Sequence, residues 1–190
     1  MKSITLKYLA SAAFASGLVL STQGIPITGN ITMAGQAVFN APTVNTATEV
    51  TSWGLNDYVK SENGFGGFVA VNDTVTMGGA WTFLPAPGTA SPALWSVDGF
   101  TFDLTSSIVQ SQGGGFLDIT GVGTISSTHA GYTTTAFNWN FSSQEPAAGT
   151  PATWSWSAST LQTAVPDGGT TAILLGAALT GLGLLRRKLA

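Results

Sequence analysis

The chain's single histidine, His129, sits in the stretch Ser127-Thr128-His129-Ala130-Gly131. A catalytic histidine works with an activated nucleophile and an orienting acid, and no Gly-x-Ser-x-Gly turn presents a serine to it, so it reads as a solvated turn residue. With no cysteine and one histidine, thiol chemistry, disulfides and a protein-built zinc site are all argued against. Paired carboxylates are the remaining route to hydrolysis, since glycoside cleavage uses two acids roughly 5–10 Å apart. Asp98 and Asp103 lie five positions apart, which on a regular strand turns their side chains to opposite faces. Asp57 and Glu62, near Lys60 and Asn63, can share a loop, yet surface acids are the simpler reading. With Asn72 and Asp73, the acids and amide of that loop are also hard oxygen ligands suited to calcium, but no EF-hand spacing or nonapeptide repeat organises them. No catalytic residue, metal ligand or cofactor is assigned on these grounds.

A different chemistry, that of a processing substrate, is written near the C-terminus. Val165-Pro166-Asp167-Gly168-Gly169 precedes an uncharged apolar run from Thr170 to Leu185, and Arg186-Arg187-Lys188 follows. Proline removes a backbone donor and the glycine pair resists helix, so this segment suits an extended, accessible protease substrate. A plain turn leading into a tail anchor is the alternative. The run of 16 residues would span about 24 Å as a helix, short of a hydrocarbon core of roughly 30 Å. That predicts a weak or transient transmembrane helix, with the basic end held in the cytoplasm and everything before it outside. Ala172, Gly176 and Thr180 recur every four residues and offer a small-residue face to another membrane helix, unless they reflect only the composition of such helices.

The N-terminus completes the export pattern. Lys2 and Lys7 precede an apolar stretch from Tyr8 to Leu20 and then small polar residues, the layout of a secretory signal peptide for signal peptidase. Cleavage after Ser21 or after Gly24 fits, and a retained N-terminal anchor is the other possibility.

Taken in order, the short motif, the LLGAALTGLGLLRRKL run and the arginine pair resemble the PEP-CTERM class of sorting signals, and most nearly its VPDSG-CTERM variant. Gly168 stands where that variant has serine. The resemblance covers residues 165–190 and implies recognition by an exosortase, a membrane-embedded cysteine transpeptidase that cuts near the motif. It also implies residence at the envelope of a Gram-negative-type bacterium. Three further segments, Asn30 to Gly35, Trp95 to Asp103 and Gly121 to Ile125, more loosely resemble the β-rich bodies of many PEP-CTERM proteins, bodies without an assigned activity.

The elements between the two ends must carry whatever else the protein does. Charged residues make up only 8% of the chain against roughly 25% in ordinary soluble proteins, while glycine numbers 24, a profile of turn-rich β structure. Between the termini Lys60 faces Glu49, Asp57, Glu62, Asp73, Asp98, Asp103, Asp118 and Glu145, and so acidic a body repels nucleic acid. Period-two alternation bounded by Gly, Pro, Asn and Asp predicts strands at 30–39, 48–53, 65–71, 73–83, 96–105, 116–126, 133–141 and 153–159. Eight such strands predict an all-β fold, an antiparallel β-sandwich or jelly roll.

Phe100, Phe102 and Leu104, then Phe137, Trp139 and Phe141, then Trp154 and Trp156, each alternate with polar residues, which puts each set on one strand face. Those rows form either the core or, if exposed and coplanar, a platform for sugar rings. The organisation that follows is a signal peptide over 1–24, a β domain over 25–160, a tether over 161–164 and a sorting signal over 165–190. The expected function is that of a non-enzymatic exported protein, held at least transiently in the membrane and then placed at the cell surface or in an exopolysaccharide matrix. The alternative is a glycan-binding module delivered by the same signal.

Overall fold

The computed structural model describes residues 24–145 and 151–161, together with Gly176, Ala178 and Leu179. The chain divides into two compact units, 1–160 and 161–190. In the second, the three described residues have helical backbone and are exposed. The expected signal peptide over 1–24 and the expected membrane helix from Thr170 to Leu185 otherwise fall outside the described residues. Among the described residues no helix is long and apolar enough to cross a membrane.

The first unit is all-β. Its strands are β1 (Ile25–Pro26), β2 (Gly29–Phe39), β3 (Glu49–Trp53), β4 (Tyr58–Gly64), β5 (Thr76–Met77), β6 (Trp81–Thr82), β7 (Ser91–Val97), β8 (Phe100–Gly113), β9 (Phe116–Ser127), β10 (Tyr132–Thr133), β11 (Thr135–Gln144) and β12 (Ala152–Thr160). The short β1 and β10 pair in parallel. All the others belong to one antiparallel sheet in the order β5-β7-β8-β9-β11-β12-β2-β3-β6, with β4 on the first half of β2 beside β3 on its second half.

The expected sandwich of two separate sheets is thus corrected to one continuous sheet that curls over its own face. Trp81 on β6 packs at 5.7 Å on Trp139 of β11, although β12, β2 and β3 lie between their strands in the sheet. Phe65, just past β4, meets Phe100 of β8 at 5.2 Å. The curl has local causes. Register shifts interrupt β8 against β9 at Leu104/Ser106 and Val109/Ser111, and β2 at Thr32/Met33 and Val38/Phe39. Such bulges bend a strand and raise its twist. Backbone bonds then join the rolled sheet to itself: Val59 N–H donates to Asp73 O (3.0 Å) and Val75 N–H to Asp57 O (2.9 Å), so residues 73–77 link β4 to β7 through β5. On the opposite side Gln112 Nε2 donates to Val44 O and Ala47 O, tying the β2–β3 loop to β8.

Inside lie the predicted aromatic rows. Phe100, Phe102, Phe137, Trp139, Phe141, Trp154 and Trp156 are all buried, joined by Trp81, Trp95 and Phe83. Trp139 and Trp156 stack in parallel at 4.5 Å, and Trp95 stacks on Phe102 at 5.3 Å. The largest rings fit because small residues stand opposite them. Trp139 is in register with Gly121 and Trp154 with Gly35, and a Cβ at either glycine would come within 2.9 Å of the facing indole. The indole nitrogens of Trp81, Trp95, Trp139, Trp154 and Trp156 are buried without a hydrogen-bond acceptor. Edge-to-face contacts such as Trp81 with Phe141 (5.5 Å, 88°) surround them with aromatic faces, a weak substitute.

Three predicted strands are redrawn. The segment 65–71 is a turn, because Phe65, Gly66 and Gly67 adopt φ of 49°, 62° and 74°, and the strand lies earlier, at β4. The segment 73–83 breaks at Gly78–Gly79 into β5 and β6. The segment 96–105 is a hairpin: Asp98 and Gly99 take φ of 42° and 79°, the two positive values of a type I′ turn, between β7 and β8. Gly99→Ala would place a Cβ 2.6 Å from Thr128 Oγ1 in a backbone region unfavourable to L side chains. We expect it to cost about 1–2 kcal/mol, a fall of roughly 3–8 °C in Tm by calorimetry. An unchanged Tm would show that the turn tolerates a side chain.

Candidate functional site

The residues that suggested chemistry are distributed by the fold into separate places. His129 follows β9 in the turn toward β10, where its ring stacks on Phe68 at 3.7 Å and its Nε2 is 2.8 Å from the carbonyl oxygen of Asp98. Its backbone N–H donates to Ser127 Oγ (3.1 Å). The ring is therefore held between the β7–β8 turn and Phe68, more enclosed than a solvated turn residue, and bonded to backbone rather than to a serine. Asp103, on β8, accepts a bond from Ala93 N–H (2.7 Å), while Asp98 sits in the turn, so those two acids are not a pair. The acids that meet are Asp73 and Asp98. Burial, and then a hydrogen bond and repulsion from Asp73, raise the Asp98 carboxyl above its ordinary range, with His129 pulling the other way. Sequence spacing could not show this pair, because β5 and β7 bring its members together across the closure of the sheet.

Asp57 and Glu62 do not share a loop either. Glu62 lies on β4, whereas Asp57 precedes it and is only 3% exposed. Among the described residues no group of three or more His, Cys, Asp or Glu gathers in a way that could hold a metal. Asp57 Oδ1 accepts the backbone N–H of Gln36 at 3.1 Å. Burial raises its carboxyl from 3.8 to about 6, and the Gln36 bond opposes that rise. Gly35 is what makes room, since a Cβ there would lie 1.7 Å from Asp57 Oδ1.

Asp57 lines a cleft of about 370 Å³ between the end of β3 with the β3–β4 turn and β5 with the turn that follows it, with Trp53, Leu55, Thr76 and Met77 among its walls. Trp53 is half-buried, its Nε1 donates to Gly79 O (3.0 Å), and its ring stands edge-on to Trp154 and Phe141. No motif marks this cleft. The available signal was a lone aspartate, between Trp53-Gly54-Leu55-Asn56 and the start of a strand, that fits neither face.

A second depression of about 360 Å³ lies on the outer face of the sheet, where Asn30, Thr32, Ser61, Asn138, Asn140, Ser157 and Ser159 present uncharged amides and hydroxyls in register. Ile31, Trp139 and Ala158 also border this depression, without opening their side chains to it as a surface. Trp139, Trp154 and Trp156 are 3%, 3% and 1% exposed, so they are core, and a sugar platform built from them is ruled out.

Val165, Pro166, Asp167, Gly168, Gly169 and the basic end Arg186, Arg187 and Lys188 lie outside the described residues. The comparison with known families bears on the segment that holds them. Residues 164–189 match the VPDSG-CTERM motif. The chain therefore carries a VPDSG-CTERM sorting signal, as the order of motif, apolar run and arginine pair leads one to expect. No curated protein and no solved structure matches the chain. The VPDSG-CTERM signal marks an exported, surface-directed protein, and the unit that precedes it holds the curled sheet.

Proposed function

We propose that this is an exported protein whose VPDSG-CTERM tail is recognised and cut near Val165–Gly169 by an exosortase-like membrane transpeptidase, after signal peptidase has removed the N-terminal peptide. The tail helix holds the protein in the membrane for that step, with Arg186, Arg187 and Lys188 on the cytoplasmic side. The β body then serves at the cell surface or in an exopolysaccharide matrix without catalysing a reaction of its own. The observation that carries this reading is the motif match over residues 164–189. An acidic, cysteine-free body with a dense aromatic core suits such a destination, since its folding needs no oxidant.

Replacing Pro166 and Asp167 together by alanine tests the proposal in the producing cell. The expected product retains the tail, is heavier by intact mass spectrometry and stays in the membrane fraction. A variant with the same mature mass and location as the native protein would remove the sorting reading.

A further inference from the structure

We propose that the cleft between the β3–β4 turn and β5 with the turn that follows it binds a neutral saccharide, whose hydroxyl donates to Asp57 Oδ2 and whose apolar ring face lies against Trp53. This deepens the matrix reading of the body and rests on it for biological sense, but its evidence is the cleft itself.

Three observations converge there. First, Asp57 is 97% buried by its own fold, yet only one of its oxygens is used: Oδ1 takes the Gln36 N–H, and Oδ2 has no hydrogen-bond donor among the described residues. Oδ2 keeps open surface, and a carboxylate oxygen that borders a cleft without a donor from its own fold is placed to receive one from outside. Second, Trp53 is fixed beside it by its bond to Gly79 O and its edge contacts, so the aromatic wall is preorganised. Third, Leu55 is 96% exposed at the rim, an apolar side chain that nothing in the fold uses.

The chemistry of the walls selects the ligand. The lining holds no Lys or Arg to offset the Asp57 charge, so phosphate, sulfate and uronic acids are repelled. A single carboxylate is too few for a calcium or zinc site, and a single aromatic ring does not make the cage that quaternary ammonium groups use. A pyranose matches instead. It has a C–H face for Trp53 and Leu55 and a hydroxyl edge for Asp57 and Thr76. The cleft's 370 Å³ falls in the range of small-ligand pockets, roughly 300–1,000 Å³, which favours the end of a glycan chain over its middle.

The test uses the full chain in micelles of C12E8, a detergent without a sugar headgroup, at pH 7.5, with cellohexaose, maltohexaose and mannohexaose titrated calorimetrically. At least one should bind with micromolar to millimolar Kd. Asp57→Asn keeps an oxygen for Gln36 N–H but puts an NH₂ where Oδ2 was, so the acceptor becomes a donor. It should fold and lose at least about tenfold in affinity. Leu55→Ala, on an exposed residue, should fold normally and lose several-fold. The proposal is overturned if none of the three saccharides binds at millimolar concentration, if Asp57→Asn binds as tightly as the native chain, or if choline chloride competes for the cleft. Failure here leaves processing at Val165–Gly169 standing, and normal processing of a Pro166/Asp167 variant would leave this binding result intact.

Discussion

Trp156→Ala is expected to cost about 3–5 kcal/mol, the range for truncating a large aromatic side chain in a packed interior. Trp156 is 1% exposed, stacks on Trp139 at 4.5 Å and meets Phe102 and Phe141 edge-on at 5.4 and 6.3 Å. It touches rings from β8 and β11, so its loss opens a void where the curled sheet meets itself. Domain stabilities of roughly 5–15 kcal/mol leave little after such a loss. Urea unfolding followed by far-UV circular dichroism reads the effect as a large drop in midpoint. Trp156→Phe separates area from polarity. It keeps a ring in place and removes an indole N–H that has no acceptor, so it should cost no more than about 1–2 kcal/mol. Equal losses in the two variants would mean that a ring kept at this position restores none of the packing.

Asp57→Asn is expected to stabilise the protein at neutral pH and to do nothing at pH 4. The folded-state pKa of Asp57, about 6, lies above its ordinary 3.8, chiefly because burial disfavours the charge. The protonated acid is therefore the form the fold prefers. Its contribution is fully present below about pH 4 and is lost as pH rises through about 6. A rise of that size corresponds to about 3 kcal/mol at most, and solvent reaching the cleft reduces the expected gain to about 1–2 kcal/mol. Urea midpoints of the two proteins at pH 4 and pH 7.5 decide the matter. Coincidence at pH 4 with a higher midpoint for the variant at pH 7.5 is expected; a constant offset at both pH values would locate the effect elsewhere than in the carboxyl's ionisation.

The parts legible in the sequence were those that depend on local pattern. Alternation placed Phe137, Trp139 and Phe141 on one face of their strand and Trp154 and Trp156 on one face of theirs, and all five are interior. The tail was legible because its motif, apolar run and basic end occur together in one continuous stretch, residues 164–189. The β7–β8 hairpin was equally local, since Asp98-Gly99 between Trp95-Ser96-Val97 and Phe100-Thr101-Phe102 is a strong turn signal, yet alternation on both sides let the stretch read as one strand. Phe65 to Val71 misled for a related reason: its apolar spacing suits a strand, but two glycines after Phe65 permit a left-handed turn.

The sheet order and the sites were not local. β12, last in the sequence, lies between β11 and β2, and the approach of Asp73 to Asp98 depends on how β5 reaches β7. The Asp57 cleft needs Gly35 from β2, Trp53 from β3 and Gly79 from the β5–β6 turn, positions that no spacing rule connects.

The order of the strands also bears on life in a crowd. At the two ends of the ten-strand sheet stand β5 and β6, each only two residues long. A strand that short offers a neighbouring copy almost no unpaired backbone on which to extend its own sheet. β4 is a longer border strand, and its start is joined to residues 72–74 by the Tyr58–Thr74 bridge and the Val59 backbone bonds, which leaves less of it open to a second copy.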